Sequence, residues 1–153
     1  MSLRNVLLGL FLGAMAVPVA FGEARSDTMP ANSGKEYLST QQTCFAQTSW
    51  TGIVNHCQPD KAAWVIALPN GFAAGTRSFR ASSTHTAGSG RPVCTAIVAS
   101  RMAGLIWAGN ATTVGDDTSL GSTSTGVTDT FHVICDLTST LDVGRAITSA
   151  RVL

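Results

Sequence analysis

The stretch Thr128-Asp-Thr-Phe-His-Val-Ile-Cys-Asp-Leu137 predicts a β-strand, because its side chains alternate in character along the chain. Phe131, Val133 and Cys135 would lie on one face of the strand, and the residues between them on the other. Phe, Val and Ile suit an extended, pleated backbone. A disulfide at Cys135 would fix the register, since a slip of one residue would turn the apolar side chains outward. We therefore predict a core strand of an all-β domain.

The first 22 residues have the composition of an export signal. Arg4 lies in a short basic segment, and an apolar run follows that ends in the small residues around Gly22. The run is shorter than the roughly 20 residues that a membrane-spanning helix needs. We expect a signal peptide at 1–22, a flexible polar leader at 23–36 and a single domain at 37–153. The mature chain would have no membrane span and would be secreted, to the periplasm or the cell exterior.

The expected mature chain is electrically neutral. Without Arg4 it has nine Lys and Arg residues against nine Asp and Glu residues, and neither sign forms a run. Nucleic acids and anionic membrane surfaces both bind clustered Lys and Arg, so we expect neither as the main partner. Roughly a quarter of the residues are Ser or Thr, which suits solvated strands and turns.

Four cysteines lie in the expected mature chain, and an even number in an exported protein indicates disulfides. Four cysteines allow three pairings. We favour Cys44–Cys57, which closes a short loop, and Cys94–Cys135, which joins two predicted strands. No Cys-x-x-Cys pair is present, so a zinc ribbon or knuckle is disfavoured.

Short strands with turn signals between them fill the chain, which is typical of an antiparallel β-sandwich. The predicted strands are 43–50, 62–68, 76–84, 93–100, 105–107, 128–137 and 146–153. The run 62–68 is continuously apolar and predicts a strand buried on both faces. The Gly-, Ser- and Thr-rich segment 108–125 predicts a long loop or a pair of short edge strands. We expect six to eight strands in a jelly-roll or immunoglobulin-like arrangement.

The order of these segments resembles a group of small secreted bacterial proteins of unassigned function. The shared features are Cys57 followed by Trp64-Val-Ile-Ala-Leu-Pro69, the strand at Val93-Cys94, Phe131-His-Val-Ile-Cys135, and the closing Ile147-Thr-Ser-Ala-Arg-Val152. The resemblance implies a β-sandwich and no catalytic residue.

The residues required for catalysis do not occur in recognisable groups, and we expect a protein that is not an enzyme and has no cofactor. Gly88-Ser89-Gly90 resembles the turn around a serine nucleophile, but a triad also needs a base and an orienting carboxylate. The three histidines are far apart in sequence, so no metal site is expected from them. Asp116 and Asp117 could supply oxygen ligands for calcium, but they are only two adjacent carboxylates with no Asp-x-Asp pattern, and a solvated turn is the favoured explanation.

Three functions remain open, the third of which is an unrecognised hydrolase. The first is a disulfide-stabilised β-sandwich with a structural, surface or interaction role, which could associate with itself through strand edges. The second is a module that binds a surface glycan or another small ligand. Trp50 is the aromatic residue predicted to be exposed for stacking on a sugar, and Asp116 and Asp117 would assist from the segment 108–125.

Overall fold

The computed structural model describes residues 27–47, 52–57, 62–84, 90–100, 102, 104–137 and 146–153. Within these residues the chain forms two short 3₁₀ segments and twelve strands. The strands are β1 (Asp27–Pro30), β2 (Lys35–Glu36), β3 (Phe45–Gln47), β4 (Ile53–Asn55), β5 (Ala62–Leu68), β6 (Gly75–Thr84), β7 (Val93–Ser100), β8 (Gly104–Ala108), β9 (Thr112–Thr113), β10 (Thr118–Thr125), β11 (Asp129–Leu137) and β12 (Ala146–Val152).

The strands form two antiparallel sheets packed face to face, which confirms the all-β sandwich. Sheet A has the order β10-β6-β12-β4-β3, and β1 also pairs with β12. Sheet B has the order β2-β5-β11-β7-β8, and β9 also pairs with β7. The described residues thus contain more strands than the six to eight expected, since four of them are only two or three residues long.

Strand β11 occupies the centre of sheet B, as its alternating sequence predicted. Phe131, Val133 and Cys135 are buried, and the residues between them face outward. In the ladder with β5, Val133 lies opposite Ile66, and in the ladder with β7 it lies opposite Ala96. The inward residues of three neighbouring strands therefore form a continuous layer of the core.

Aromatic rings connect this layer to sheet A. Phe79 of β6 lies 5.7 Å from Phe131, and Phe72 lies 5.9 Å from Phe131 on its other side (centroid distances). Phe79 is fully buried and Phe131 almost so. Tilted rings at this distance pack favourably beyond the area that they bury.

Both cysteine pairs expected from the sequence are disulfide-bonded in the structure. Cys94 and Cys135 lie directly opposite each other in the β7–β11 ladder, with their Cα atoms 4.0 Å apart. This bridge therefore lies within one sheet, whereas the characteristic bridge of immunoglobulin domains joins two sheets. Cys44 and Cys57 form the second bridge. Disulfides persist in oxidising compartments, and two of them indicate a location outside the cytoplasm.

The residues from Asp27 onward, which the sequence assigned to a flexible leader at 23–36, belong to the sandwich instead. Strand β1 pairs with β12, and β2 pairs with β5. Between them Ala31 is fully buried, and its carbonyl accepts a 2.8 Å hydrogen bond from the indole N–H of Trp64. The leader was predicted from polarity, but a strand that pairs along a sheet edge needs few apolar side chains.

Two other segments differ from expectation. Strand β5 is buried on one face only, since Ala63 and Val65 face outward and remain partly exposed. In the segment 108–125 the chain forms the short strand β9 and the eight-residue edge strand β10, so the edge-strand alternative applies. Leu120 of β10 is buried in the core. The signal peptide at 1–22 lies outside the described residues.

None of the helical segments in the described ranges is long and apolar enough to cross a membrane.

We predict that the two disulfides contribute unequally to stability. A longer closed loop removes more entropy from the unfolded chain, and the cysteines are 41 residues apart in one pair and 13 in the other. Cys94→Ala with Cys135→Ala should lower the free energy of unfolding by about 4 kcal/mol, against about 3 kcal/mol for Cys44→Ala with Cys57→Ala. Urea unfolding followed by tryptophan fluorescence measures both. A larger loss from the shorter loop would contradict the prediction.

Candidate functional site

The outer faces of the two sheets have opposite chemical character. Sheet A presents serine, threonine and arginine to the outside: on its central strands the outward residues include Ser78, Arg80, Ser82, Ser149 and Arg151. Sheet B presents a mixed outer side, in which aliphatic residues on three neighbouring strands lie among Thr95, Thr130, His132 and Asp136. An antiparallel sheet with one face in water normally alternates apolar and polar residues, and the centre of sheet B departs from this rule.

The outward residues of sheet B form a surface that we call the apolar face. Its centre consists of Val65, Ile97 and Ile134, which lie on β5, β7 and β11. Val65 is directly opposite Ile134 in the ladder, so their side chains are neighbours. At the β8 edge Leu105 lies opposite Ala99 and is 64% exposed. The apolar surface therefore extends across three central strands to an edge strand.

A shallow cavity lies on the apolar face, with a volume of about 350 Å³. Besides the three central aliphatic residues it is lined by Tyr37 and His132 and by the charged residues Lys35 and Glu36. Tyr37 is 60% exposed, and its backbone N–H is anchored by a 2.9 Å hydrogen bond to the carbonyl of Ala63. An exposed aromatic ring beside aliphatic side chains is typical of a surface that binds another protein.

His132 lies in the middle of the apolar face, opposite Ala67 on one side and Ile97 on the other. Burial of the imidazole, and then the positive charge of Lys35, hold the pKa of His132 below its ordinary value. The imidazole is therefore neutral at neutral pH. The centre of the face carries no charge under those conditions.

Asp117, predicted as a ligand-binding residue, is held by two arginines on the outer side of sheet A. One carboxylate oxygen lies 2.9 Å from Nε of Arg80, and the other lies 2.6 Å from a terminal nitrogen of Arg151. Arg80 and Arg151 are directly opposite each other in the β6–β12 ladder, so one carboxylate separates two like charges. Both oxygens are thus engaged within the chain.

The backbone of Asp117 is held at the same place. Its N–H donates a 3.2 Å hydrogen bond to the hydroxyl of Ser82, and its carbonyl accepts one from Arg80. Its φ is +46°, a left-handed conformation that Asp tolerates better than most residues. This turn leads into β10 and attaches that edge strand to the centre of sheet A.

The other predicted ligand residues are not gathered into one site. Asp116 is exposed, while Trp50 lies outside the described residues. The described part of the chain contains no group of three or more His, Cys, Asp or Glu side chains that could hold a metal ion.

A second cavity lies where the edge strands β8 and β10 of the two sheets meet, and we call it the Trp107 groove. Its volume is about 330 Å³. The sequence did not single out Trp107 as a binding residue. Its ring stacks on Phe79 at 5.8 Å but also lines the groove.

No protein-family model, no curated protein and no solved structure matches this chain. Functional conclusions therefore depend on the geometry and chemistry of these surfaces.

The sequence contained a signal for the apolar face. The run 62–68 was apolar at every position, which is typical of a strand with a packed layer on both sides. The structure places the core on one side of β5 and the partly exposed apolar face on the other.

We predict that Asp117 stabilises the fold in a pH-dependent manner. Loss of solvent contact raises the pKa of Asp117, but hydrogen bonds and charges from Arg80 and Arg151 outweigh this effect and hold its pKa below the ordinary value. A depressed folded-state pKa gives stability that is present above the unfolded-state pKa and is lost as the pH falls through the folded-state pKa.

Asp117→Asn should therefore be less stable than the wild type near pH 6, and the difference should disappear toward pH 2. Asparagine also tolerates a positive φ, so the backbone turn should persist in this variant. Urea unfolding at a series of pH values measures the difference. A gap that stays constant with pH would show that the charge of Asp117 is not responsible.

Proposed function

We propose that this chain is a non-catalytic interaction module, active outside the cytoplasm, that associates with a second copy of itself through the apolar face of sheet B. The observation that carries the proposal is the aliphatic cluster of Val65, Ile97 and Ile134 on the outer side of sheet B, which has no counterpart among the Ser, Thr and Arg residues outside sheet A. Contiguous exposed apolar surface is costly in water and marks interaction sites. The disulfides and the predicted signal peptide support export.

The size of the apolar face suits a weak dimer. Strands lie about 4.8 Å apart and rise about 3.3 Å per residue. Three strands of sheet B, namely β5, β7 and β11, have seven residues or more and make a face of roughly 14 by 23 Å, which the shorter β2 and β8 extend at the sides. This area is below the roughly 800 Å² per partner of a standard interface and corresponds to a transient one.

The charges on this face favour a copy of the same chain as the partner. Lys35 of β2 lies opposite Val65 of β5, which in turn lies opposite Ile134 of β11. Asp136 follows Ile134 by two residues on the same side of the sheet. Lys35 and Asp136 are both exposed and share the outer side of the sheet. Their Cα atoms are roughly 12 Å apart, which is beyond the screening length of about 8 Å at physiological salt. They therefore neutralise each other poorly within one copy.

A two-fold axis lying in the plane of the face brings Lys35 of each copy opposite Asp136 of the other. Such an isologous interface contains each pair twice. The neutral His132 leaves the centre without charge, so aliphatic side chains of the two copies can pack at the usual spacing of stacked sheets, about 10 Å. The neutral mature chain adds no long-range repulsion between copies.

We predict that a charge at the centre of the apolar face abolishes association. Ile134→Lys would bury an unpaired ammonium group in the interface, and the dissociation constant should rise by at least roughly tenfold, or about 1.4 kcal/mol. Sedimentation velocity over a series of concentrations measures this constant.

The matched control is Ser78→Lys. Ser78 is also an outward, partly exposed residue on a strand with neighbours on both sides, but it lies in sheet A. This variant should associate as the wild type does. A wild type that stays monomeric at all concentrations, or an equal effect of both substitutions, would contradict the proposal.

We further predict that two charge-reversal variants restore each other. Lys35→Glu alone and Asp136→Lys alone should each associate weakly, because like charges then meet twice across the two-fold axis. An equimolar mixture should associate normally, since the glutamate of one variant meets the lysine of the other. Sedimentation of each variant and of the mixture tests this. A mixture as weak as its components would exclude the proposed pairing between copies.

A further inference from the structure

The Trp107 groove has the features of a small-ligand site separate from the apolar face. It lies at the edge of the sandwich, between β8 of sheet B and β10 of sheet A. Its volume of about 330 Å³ falls at the lower end of the roughly 300–1,000 Å³ that ligand pockets occupy.

The indole of Trp107 is held rigidly in this groove. One side of the ring stacks on the buried Phe79, with centroids 5.8 Å apart and planes 26° apart. Two glycines pack against its six-membered ring: a Cβ atom at Gly109 would lie 3.0 Å from the ring, and one at Gly121 would lie 3.2 Å from it. Gly121 also has a φ of +109°, which other residues rarely adopt. The ring is therefore fixed before any ligand binds.

The remaining groups that line the groove are uncharged hydrogen-bonding groups. Asn110 provides an amide, and Ser119 and Ser122 provide hydroxyls. Thr112 donates a 3.0 Å hydrogen bond to the carbonyl of Asn110, which leaves the Thr112 oxygen able to accept one from a ligand. None of the nine lining residues carries a charge.

We propose that the Trp107 groove binds one end or one unit of a neutral saccharide. The apolar face of a sugar ring stacks on an indole, while its hydroxyls match amide and hydroxyl partners that donate and accept. A phosphate or carboxylate ligand would need positive charge in the groove, and a lipid chain would need a mainly apolar cavity. The set of lining side chains favours the neutral saccharide over both.

The test is an NMR titration of the full mature chain labelled with ¹⁵N. The neutral ligands are four tetrasaccharides, namely cello-, manno-, malto- and chitotetraose. A galacturonic acid trimer is the anionic comparison. The indole N–H of Trp107, assigned through Trp107→Phe, and the amide of Asn110 should shift saturably with at least one neutral sugar. The indole N–H of Trp64 serves as an internal reference, since it donates to the carbonyl of Ala31 in the core.

Ser122→Gln should fill the groove and weaken binding by roughly tenfold. Ser124→Gln is the matched control, because Ser124 is an equally exposed serine on the same strand but does not line the groove. It should bind as the wild type does. Ile134→Lys should also bind normally, so failure of self-association and failure of sugar binding are distinguishable.

Three results would overturn the proposal. They are the absence of a saturable shift at Trp107 with every neutral tetrasaccharide, a preference for the anionic trimer, and an equal loss of binding in Ser122→Gln and Ser124→Gln.

Discussion

The architecture depends on the register of β11 between β5 and β7. Cys135 lies directly opposite Cys94, and the disulfide between them prevents the two strands from sliding by one residue. Such a slip would exchange the two faces of the strand, so Phe131 and Val133 would leave the core and His132 would enter it. The same register that completes the core also places Ile134 beside Val65 on the outside. The core and the apolar face are therefore two consequences of one constraint.

The outer strands of the two sheets are held by different contacts. In sheet A one side of β12 pairs with β6, and two short strands pair with it on the other side. Strand β4 pairs with it at Ile147, and β1 pairs with it from Ser149 to Val152. Edge strand β10 is attached through Asp117, whose carboxylate and backbone bind two arginines and a serine. In sheet B the β8 edge ends at Trp107, which reaches across to Phe79 in sheet A.

The two proposed surfaces divide the molecule into regions of distinct chemistry. The apolar face offers area and a neutral centre, which suits a protein surface of the same kind. The Trp107 groove offers one fixed aromatic ring among hydroxyl and amide groups, which suits a small polar ligand. The two surfaces adjoin at β8, where Ala108 lines the groove and lies opposite Ile97 of the apolar face.

The sequence by itself determined the fold class and the central strand, because alternation is a local property that follows directly from strand geometry. Among the three pairings that four cysteines allow, it favoured the two disulfides that the structure contains. It also determined that β5 is apolar on both sides, but only the tertiary structure decided that its second side, with Ala63 and Val65, lies outside the core. Likewise three features join residues that are distant in the chain: the pairing of β1 with β12 and of β2 with β5, the contacts of Asp117 with Arg80 and Arg151, and the assembly of the Trp107 groove. Their partners are set by the order of strands in the sheets, which periodicity does not encode.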